Sequence, residues 1–264
     1  MVTMASGVPG RSVALLSAAL CLLALSGCAS APKLPATGSM EADKFLFDRG
    51  TETLGQKHWL EAREYFRRLV DTYPQSPYRQ EAKLGIGDSY LGENTVESNI
   101  LAINEFHEFL TFFPLNPKAD YAQYKLGLAH FHQMLSPQRD QTNTRDALKE
   151  FDTFLRNFPT SALRPQVEVL QRQARDRLSE SEFEIGQLYY RTKWWPGAID
   201  RFKTLLTQDP GFSGRDRVYY FLGECLLNAK QLVEALPYYN RLVTEFPQSK
   251  YLEDAKKRIT EIKR

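Results

Sequence analysis

The sequence predicts an all-α fold, a solenoid of five helix pairs closed by a C-terminal capping helix. Three observations predict it. From residue 42 onward, an aromatic or acidic residue followed by proline recurs five times: Tyr73-Pro74, Phe113-Pro114, Phe158-Pro159, Asp209-Pro210 and Phe246-Pro247. Twelve positions before each proline stands an alanine (Ala62, Ala102, Ala147, Ala198, Ala235), eight before it a ring (Phe66, Phe106, Phe151, Phe202, Tyr239), and five before it Leu69, Phe109, Phe154, Leu205 or Leu242. Further upstream a glycine recurs as Gly50, Gly87, Gly127, Gly186 and Gly223. The ring four residues after the alanine shares its helical face. Glycine and alanine belong where two helices cross closely, and the proline ends the second helix because it lacks an N–H and disfavours helix in the residue before it. Two residues after the proline, Ser76, Asn116, Ser161 and Ser249 are placed to cap the next helix.

The units follow in order. Unit one has Gly50 and Ala62 twelve residues apart, and unit two widens that spacing to 15. Unit three widens it to 20, because Ser136 to Thr144 (SPQRDQTNT) is inserted between its paired helices. Units four and five return to twelve. The distance from proline to the next glycine is 13 at three of the four junctions but 27 between Pro159 and Gly186. The 14 additional residues fall within Pro165 to Ser181, a stretch rich in charged and polar residues and free of glycine. They should lengthen the first helix of unit four by several turns at ~1.5 Å per residue. Tyr251 to Ile262 makes a polar terminal helix, the cap a solenoid requires. The recurring pattern resembles the tetratricopeptide repeat, two helices in ~34 residues, which implies a right-handed solenoid. Residues 42–160 hold units one to three, and residues 161–264 hold units four, five and the cap.

The N-terminal segment has another character. Arg11 precedes an apolar run from Val13 to Leu25, which leads into Leu25-Ser26-Gly27-Cys28. A positive start, a short apolar core and small residues are the layout of an export signal. The core is too short to cross a ~30 Å hydrocarbon layer as a helix. Leu-Ser-Gly-Cys resembles the lipobox of bacterial lipoproteins. That resemblance implies removal of residues 1–27 and covalent diacylglycerol and N-acyl lipid on Cys28, with no other cofactor. Residues 28–41 carry Pro32, Pro35, Gly38 and Ser39 and read as a tether that holds the sequence beyond Glu41 clear of the headgroups.

Composition excludes several functions. The 34 basic residues nearly balance 32 acidic ones, so nothing in the charge points to nucleic acid. Once the signal is removed and Cys28 is acylated, Cys225 stands alone, so no internal disulfide is expected; it reads as a small buried residue. No His-x-x-x-His, Cys-x-x-Cys or glycine-rich phosphate loop is present, and His130 and His132 do not share a helix face. The chain therefore reads as a binding protein with no catalytic residues and no metal site.

In tetratricopeptide proteins the first helix of each unit lines the concave face. The row three before the recurring glycine would point inward, here Phe47, Leu84, Tyr124, Phe183 and Tyr220. A second row, four after the glycine, holds Leu54, Leu91, Phe131, Tyr190 and Leu227, with Tyr121 and Leu128 added around unit three. Such aromatic and aliphatic rows suit an extended peptide with bulky apolar side chains. The groove candidates of units one to three are Phe47, Leu84, Tyr121, Tyr124, Leu128 and Phe131.

The lipobox, tether, five repeats, insertion in unit three and long helix in unit four together resemble the lipoprotein family of the outer-membrane β-barrel assembly machinery. The segments Arg139 to Leu155 and Arg175 to Phe202 are the most specific parts of the resemblance. It implies a non-enzymatic protein anchored by lipid at the periplasmic face of the outer membrane. Its partners would be unfolded outer-membrane β-barrel proteins, held by units one to three, a BamA-like barrel-forming protein docked through its POTRA domains by units four and five, and other lipoproteins of the machinery. Trp194, Trp195 and Arg201 fall in the docking region; two adjacent tryptophans at a helix start cannot both face one core, so one is a candidate anchor. Arg201, next to core Phe202, is expected to point outward. Alternatives are a tetratricopeptide pilotin lipoprotein for type IV pilus secretin assembly, whose regular repeats fit the insertion and long helix less well, and an enzyme or sugar-binding lipoprotein.

Overall fold

The computed structural model describes residues 41–264. The signal segment, Cys28 and the tether to residue 40 lie outside the described residues. Within them there are eleven helices and no strand: α1 (Ala42–Gly55), α2 (Trp59–Thr72), α3 (Arg79–Glu93), α4 (Val96–Phe112), α5 (Ala119–His132), α6 (Thr142–Asn157), α7 (Arg164–Arg191), α8 (Trp195–Gln208), α9 (Arg215–Asn228), α10 (Leu232–Glu245) and α11 (Leu252–Ile262). These are the five expected pairs and the cap. Short connections make consecutive helices antiparallel, so all turns within pairs lie on one edge and all turns between pairs on the other.

The prolines end the second helices as expected. Tyr73, Phe113, Phe158, Asp209 and Phe246 are the C-caps, with φ between −124° and −135°, and each backbone N–H closes a last bond to the carbonyl four residues earlier. The expected N-caps stand two residues before the N-cap positions, which Tyr78, Lys118, Leu163 and Tyr251 occupy without a side-chain bond. The side chains of Ser76, Asn116, Ser161 and Ser249 accept from the N–H two residues on, at 2.7–3.2 Å, and so close the turn that leads into the helix. The helices themselves begin three residues after them, at Arg79, Ala119, Arg164 and Leu252.

The recurring glycines and rings meet within each pair. A Cβ on Gly50 would stand 2.6 Å from the Phe66 ring, on Gly87 2.7 Å from Phe106, on Gly127 2.6 Å from Phe151, on Gly186 2.5 Å from Phe202, and on Gly223 2.5 Å from Tyr239. Only hydrogen fits at these crossings. The recurring alanines are fully buried, at 0% exposure. Seven residues after the glycine, the turn within the pair needs a left-handed residue. Lys57, Asn94, Lys193 and Lys230 supply it with φ of 52–63°. In unit three the insertion takes over that turn.

The insertion is more ordered than a solvated loop. Gln141 is buried and donates to the carbonyls of Ser136 (2.8 Å) and Arg139 (3.0 Å), and buried Thr144 donates to the Gln141 side chain (2.8 Å). The long helix of unit four is α7, 28 residues unbroken with Pro165 in its first turn, where a missing N–H costs nothing. Its added length explains why this unit has Asp209 in place of a ring. Arg172, on the added stretch, donates to Asp209 Oδ1 (2.9 Å) and to Asp176 (3.0 Å), and Ser179 donates to Asp209 Oδ2 (2.5 Å). Burial opposes the Asp209 charge, but the hydrogen bonds from Arg172 and Ser179 outweigh it and hold the carboxyl below its ordinary range.

Two predictions follow from the packing and the buried carboxylate. Gly186→Leu and Ala198→Phe should each destabilise the fold by ~1–3 kcal/mol through overpacking, whereas Arg139→Ala should cost less than ~0.5 kcal/mol; urea midpoints rank them, with Gln141→Ala expected to group with the costly class. Asp209→Asn should cost ~2 kcal/mol at neutral pH, because it leaves Arg172 without its charged partner. Since the folded carboxyl is the more acidic, its contribution is present above the unfolded pKa of ~3.9 and lost as pH falls through the folded value. Denaturation curves of wild type and Asp209→Asn should therefore converge on acidification.

Candidate functional site

The first helices of units one to three line two adjoining cavities. One, of about 390 Å³, is walled by Phe47, Thr51 and Leu54 of α1, Leu84, Gly85 and Asp88 of α3, and Tyr121 of α5, with Phe66 at its base. The other, of about 360 Å³, shares Leu54, Asp88 and Tyr121 and continues along Trp59, Leu91, Lys125, Leu128 and His132. Together they form one groove with a polar waist. At the waist Tyr121 Oη donates to Asp88 Oδ2 (2.8 Å), and Lys125 Nζ lies 3.1 Å from Asp88 Oδ1 and 5.0 Å from the Tyr121 ring centre. At the rim Lys118 pairs with Glu81 at 3.1 Å. Burial, and then the Asp88 charge, push the Tyr121 phenol well above its ordinary range. Burial and then Lys125 lower His132, so the imidazole is neutral at neutral pH. These charges are paired within the protein, which leaves apolar walls for a ligand.

The six groove candidates divide. Phe47, Leu84, Tyr121 and Leu128 line the cavities, although Leu84 is itself only 4% exposed. Tyr124 does not. It is buried among Ala147, Phe151, Phe154 and Val167, with its Oη accepting from Gln166 Nε2 of α7 at 2.7 Å, and so joins unit three to unit four. Phe131 packs on Phe151, ring centres 6.3 Å apart, and lines neither cavity. Sequence reasoning missed Trp59, Asp88, Lys125 and Gly85. Gly85 had a visible signal, a second glycine two before Gly87. A Cβ there would stand 2.4 Å from Phe66, whose ring is thus clamped between Gly50 and Gly85.

At the other end, the two tryptophans take opposite roles. Trp195 packs into the core of units four and five, edge-on to Tyr190 at 5.6 Å. Trp194 leans on Tyr189 at 4.6 Å and stays 55% exposed. Leu188 and Val233, also exposed, stand on the same edge, at the turns within pairs four and five. Arg201 faces outward, but it is partnered: its Nη1 lies 3.1 Å from Glu182 Oε2 of α7. Cys225 is fully buried, and burial followed by the Glu224 charge pushes its thiol up to about 12, which makes it inert. Among the described residues, no group of three or more His, Cys, Asp or Glu could hold a metal ion, and no helix is long and apolar enough to cross a membrane.

Residues 40–217 match the family YfiO, described as outer membrane lipoprotein. The chain belongs to the YfiO family. Residues 218–249, which hold most of α9 and all of α10, match a tetratricopeptide repeat. Curated relatives include the outer membrane protein assembly factor BamD of Caulobacter vibrioides, 27% identical over 93% of this chain and 80% of that one, and BamD of Haemophilus influenzae, 26% identical over 76% and 77%. Among solved structures, the TPR2AB-domain:pHSP90-complex of yeast Sti1 covers 85% of this chain and 84% of its own, with 12% identity and a TM-score of 0.49. At that similarity nothing is carried over from it.

The split between the tryptophans is measurable. Trp195→Ala should destabilise by ~3 kcal/mol, as core aromatic truncations do. Trp194→Ala should cost less than ~1 kcal/mol, since most of its surface already meets water. Urea midpoints of the two variants check the assignment.

Proposed function

We propose that this YfiO-family protein is a non-enzymatic assembly factor for outer-membrane proteins, held at the periplasmic face of the outer membrane by lipid on Cys28. The groove of units one to three receives extended segments of unfolded β-barrel proteins. Units four and five dock the barrel-forming partner through its POTRA domains, and other lipoproteins of the machinery join the complex. The observation that carries the reading is the groove itself: two apolar cavities side by side, sharing Leu54 and Tyr121, with their charges paired internally. An extended strand places successive side chains on alternate faces, so residues two apart could enter neighbouring cavities while the waist faces the backbone between them. The BamD relatives, named as outer membrane protein assembly factors, support the cellular role.

The exposed Trp194, Leu188 and Val233 supply apolar area on one edge for the docking partner. Arg201 contributes charge only if the partner outbids Glu182, an exposed pair worth ~1 kcal/mol or less. Trp194 is therefore the stronger anchor of the two.

The test separates the two ends. Phe47→Glu combined with Leu128→Glu should weaken binding of a labelled strand peptide, alternating in aromatic residues, by at least ~10-fold, one charge per cavity costing well over 1.4 kcal/mol. The same variant should still co-purify the POTRA-bearing partner from solubilised membranes. Trp194→Ala with Arg201→Glu should do the reverse. Unchanged peptide affinity in a folded groove variant, checked by circular dichroism, would reject the groove; full retention of the partner by the docking variant would move the interface elsewhere.

A further inference from the structure

The two edges of the solenoid differ in their turns. On the edge between pairs, four of the five turns present polar residues or glycine at the position two before the proline and at the position after it: Thr72 and Gln75, Asn157 and Thr160, Gln208 and Gly211, Glu245 and Gln248. The turn between α4 and α5 presents Phe112 and Leu115 instead, 65% and 95% exposed. These side chains are held out by a rigid turn. Pro114 and Pro117 flank it, the Asn116 side chain accepts from the Lys118 N–H at 2.7 Å, and its amide reaches Gln80 of α3 at 2.5 Å. Nothing in the scaffold uses them, and an apolar pair fixed in water costs solubility for no internal gain.

We propose that this turn is a second membrane contact, in which Phe112 and Leu115 enter the headgroup layer of the bilayer that holds the Cys28 lipid. The inference rests on the lipid anchoring proposed above. Three arguments select a lipid surface as the occupant. The first is direction: α1 runs antiparallel to α2, so the Leu46 end of α1 faces the edge that carries this turn. The second is reach: 13 residues from Cys28 to Glu41 can extend ~45 Å at most, which keeps this edge within range of the bilayer. The third is size. Two side chains at a turn tip fall far short of the ~800 Å² per partner of a stable protein interface, but they suffice as a supplementary interfacial anchor on a protein already tethered by lipid. The solenoid would then rest on this edge, closer to the membrane than the tether alone implies.

The test uses the full lipidated protein in phospholipid vesicles. Leu115→Cys is labelled with an environment-sensitive dye such as NBD; the native thiols do not compete, because Cys225 is fully buried and Cys28 carries lipid on this reading. Gln248→Cys, at the equivalent position of the last turn, is the comparison. The expected result is a several-fold rise in emission at position 115 on reconstitution, quenched by lipids spin-labelled in the acyl chain, with position 248 unchanged. Adding Phe112→Glu to the labelled chain should at least halve the rise. Emission at 115 that stays as water-exposed as at 248, in protein that floats with the vesicles, overturns the membrane contact and leaves the anchoring intact. Shielding at 115 that appears only when the POTRA-bearing partner is added overturns it in favour of a protein interface. Protein that fails to float overturns the anchoring and this inference with it.

Discussion

The fold depends on one contact, a ring from the second helix of each pair seated against a glycine of the first. The space for a Cβ is absent at all five crossings, so the ring face and the helix backbone set the helix separation between them. Removing a core ring costs ~3–5 kcal/mol, a large part of the ~5–15 kcal/mol that holds a domain together. The units therefore stand or fall with these contacts and with their neighbours. In unit one the constraint doubles: Phe66 is gripped from both sides, by Gly50 of its own pair and Gly85 of the next. That second glycine has a consequence outside the core. It leaves α3 without a side chain where the first cavity opens, so the base of the groove is the Phe66 ring itself.

The unit that breaks the register has replaced this apolar logic with a polar one. A ring before Pro210 would fill its site by packing alone. Asp209 instead draws Arg172 and Ser179 of α7 to one point, while Asp176 holds the backbone of Ser213. A buried ion pair adds little net stability compared with well-packed apolar groups. It does fix direction, because a hydrogen-bonded carboxylate accepts only a narrow range of donor positions. The 28-residue helix that spans the two halves is thereby pinned along its length, at Arg172 and Ser179, to the turn that starts unit five. Tyr124 and Gln166 pin its other end to unit three.

Most of this scaffold was legible in the sequence, because each repeated position obeys a rule that acts locally. Proline stops a helix, glycine admits a ring, and both show as fixed offsets. The long helix was legible for the same reason: 14 surplus residues without glycine have no other regular use. The site was less legible. Phe47 and Tyr124 occupy the same register position, yet one opens on the groove and the other is sealed by Gln166. The difference lies in the following unit, which supplies a helix with an extra stretch above Tyr124 and only a standard one above Phe47. Register gives the face of a residue's own helix and says nothing about what covers it. The paired tryptophans posed the same problem with a better outcome, since sterics alone require that they separate. Trp195 is the one that enters the core, edge-on to Tyr190 of the long helix.

An antiparallel solenoid divides its surface into a groove and two edges, and each has a distinct origin. The groove comes from the first helices, whose side chains must also pack between units, so only residues left uncovered by the next unit can serve a ligand. The edge within pairs is built from turns that need left-handed residues, supplied here by Lys57, Asn94, Lys193 and Lys230. The helices that start there begin with exposed apolar side chains, Leu60, Val96 and Val233 among them. The edge between pairs is built from prolines and capping side chains, which consume its polar groups in closing turns and leave two positions per turn outside the core, Glu245 alone among them being held by Arg241 and Tyr219. Those positions are polar or glycine in four turns and apolar in one. A position without structural duty is where a departure from the pattern carries information about contacts outside the fold. That is why Leu115, which touches no core, says more about the surroundings of the protein than the buried rings that repeat around it.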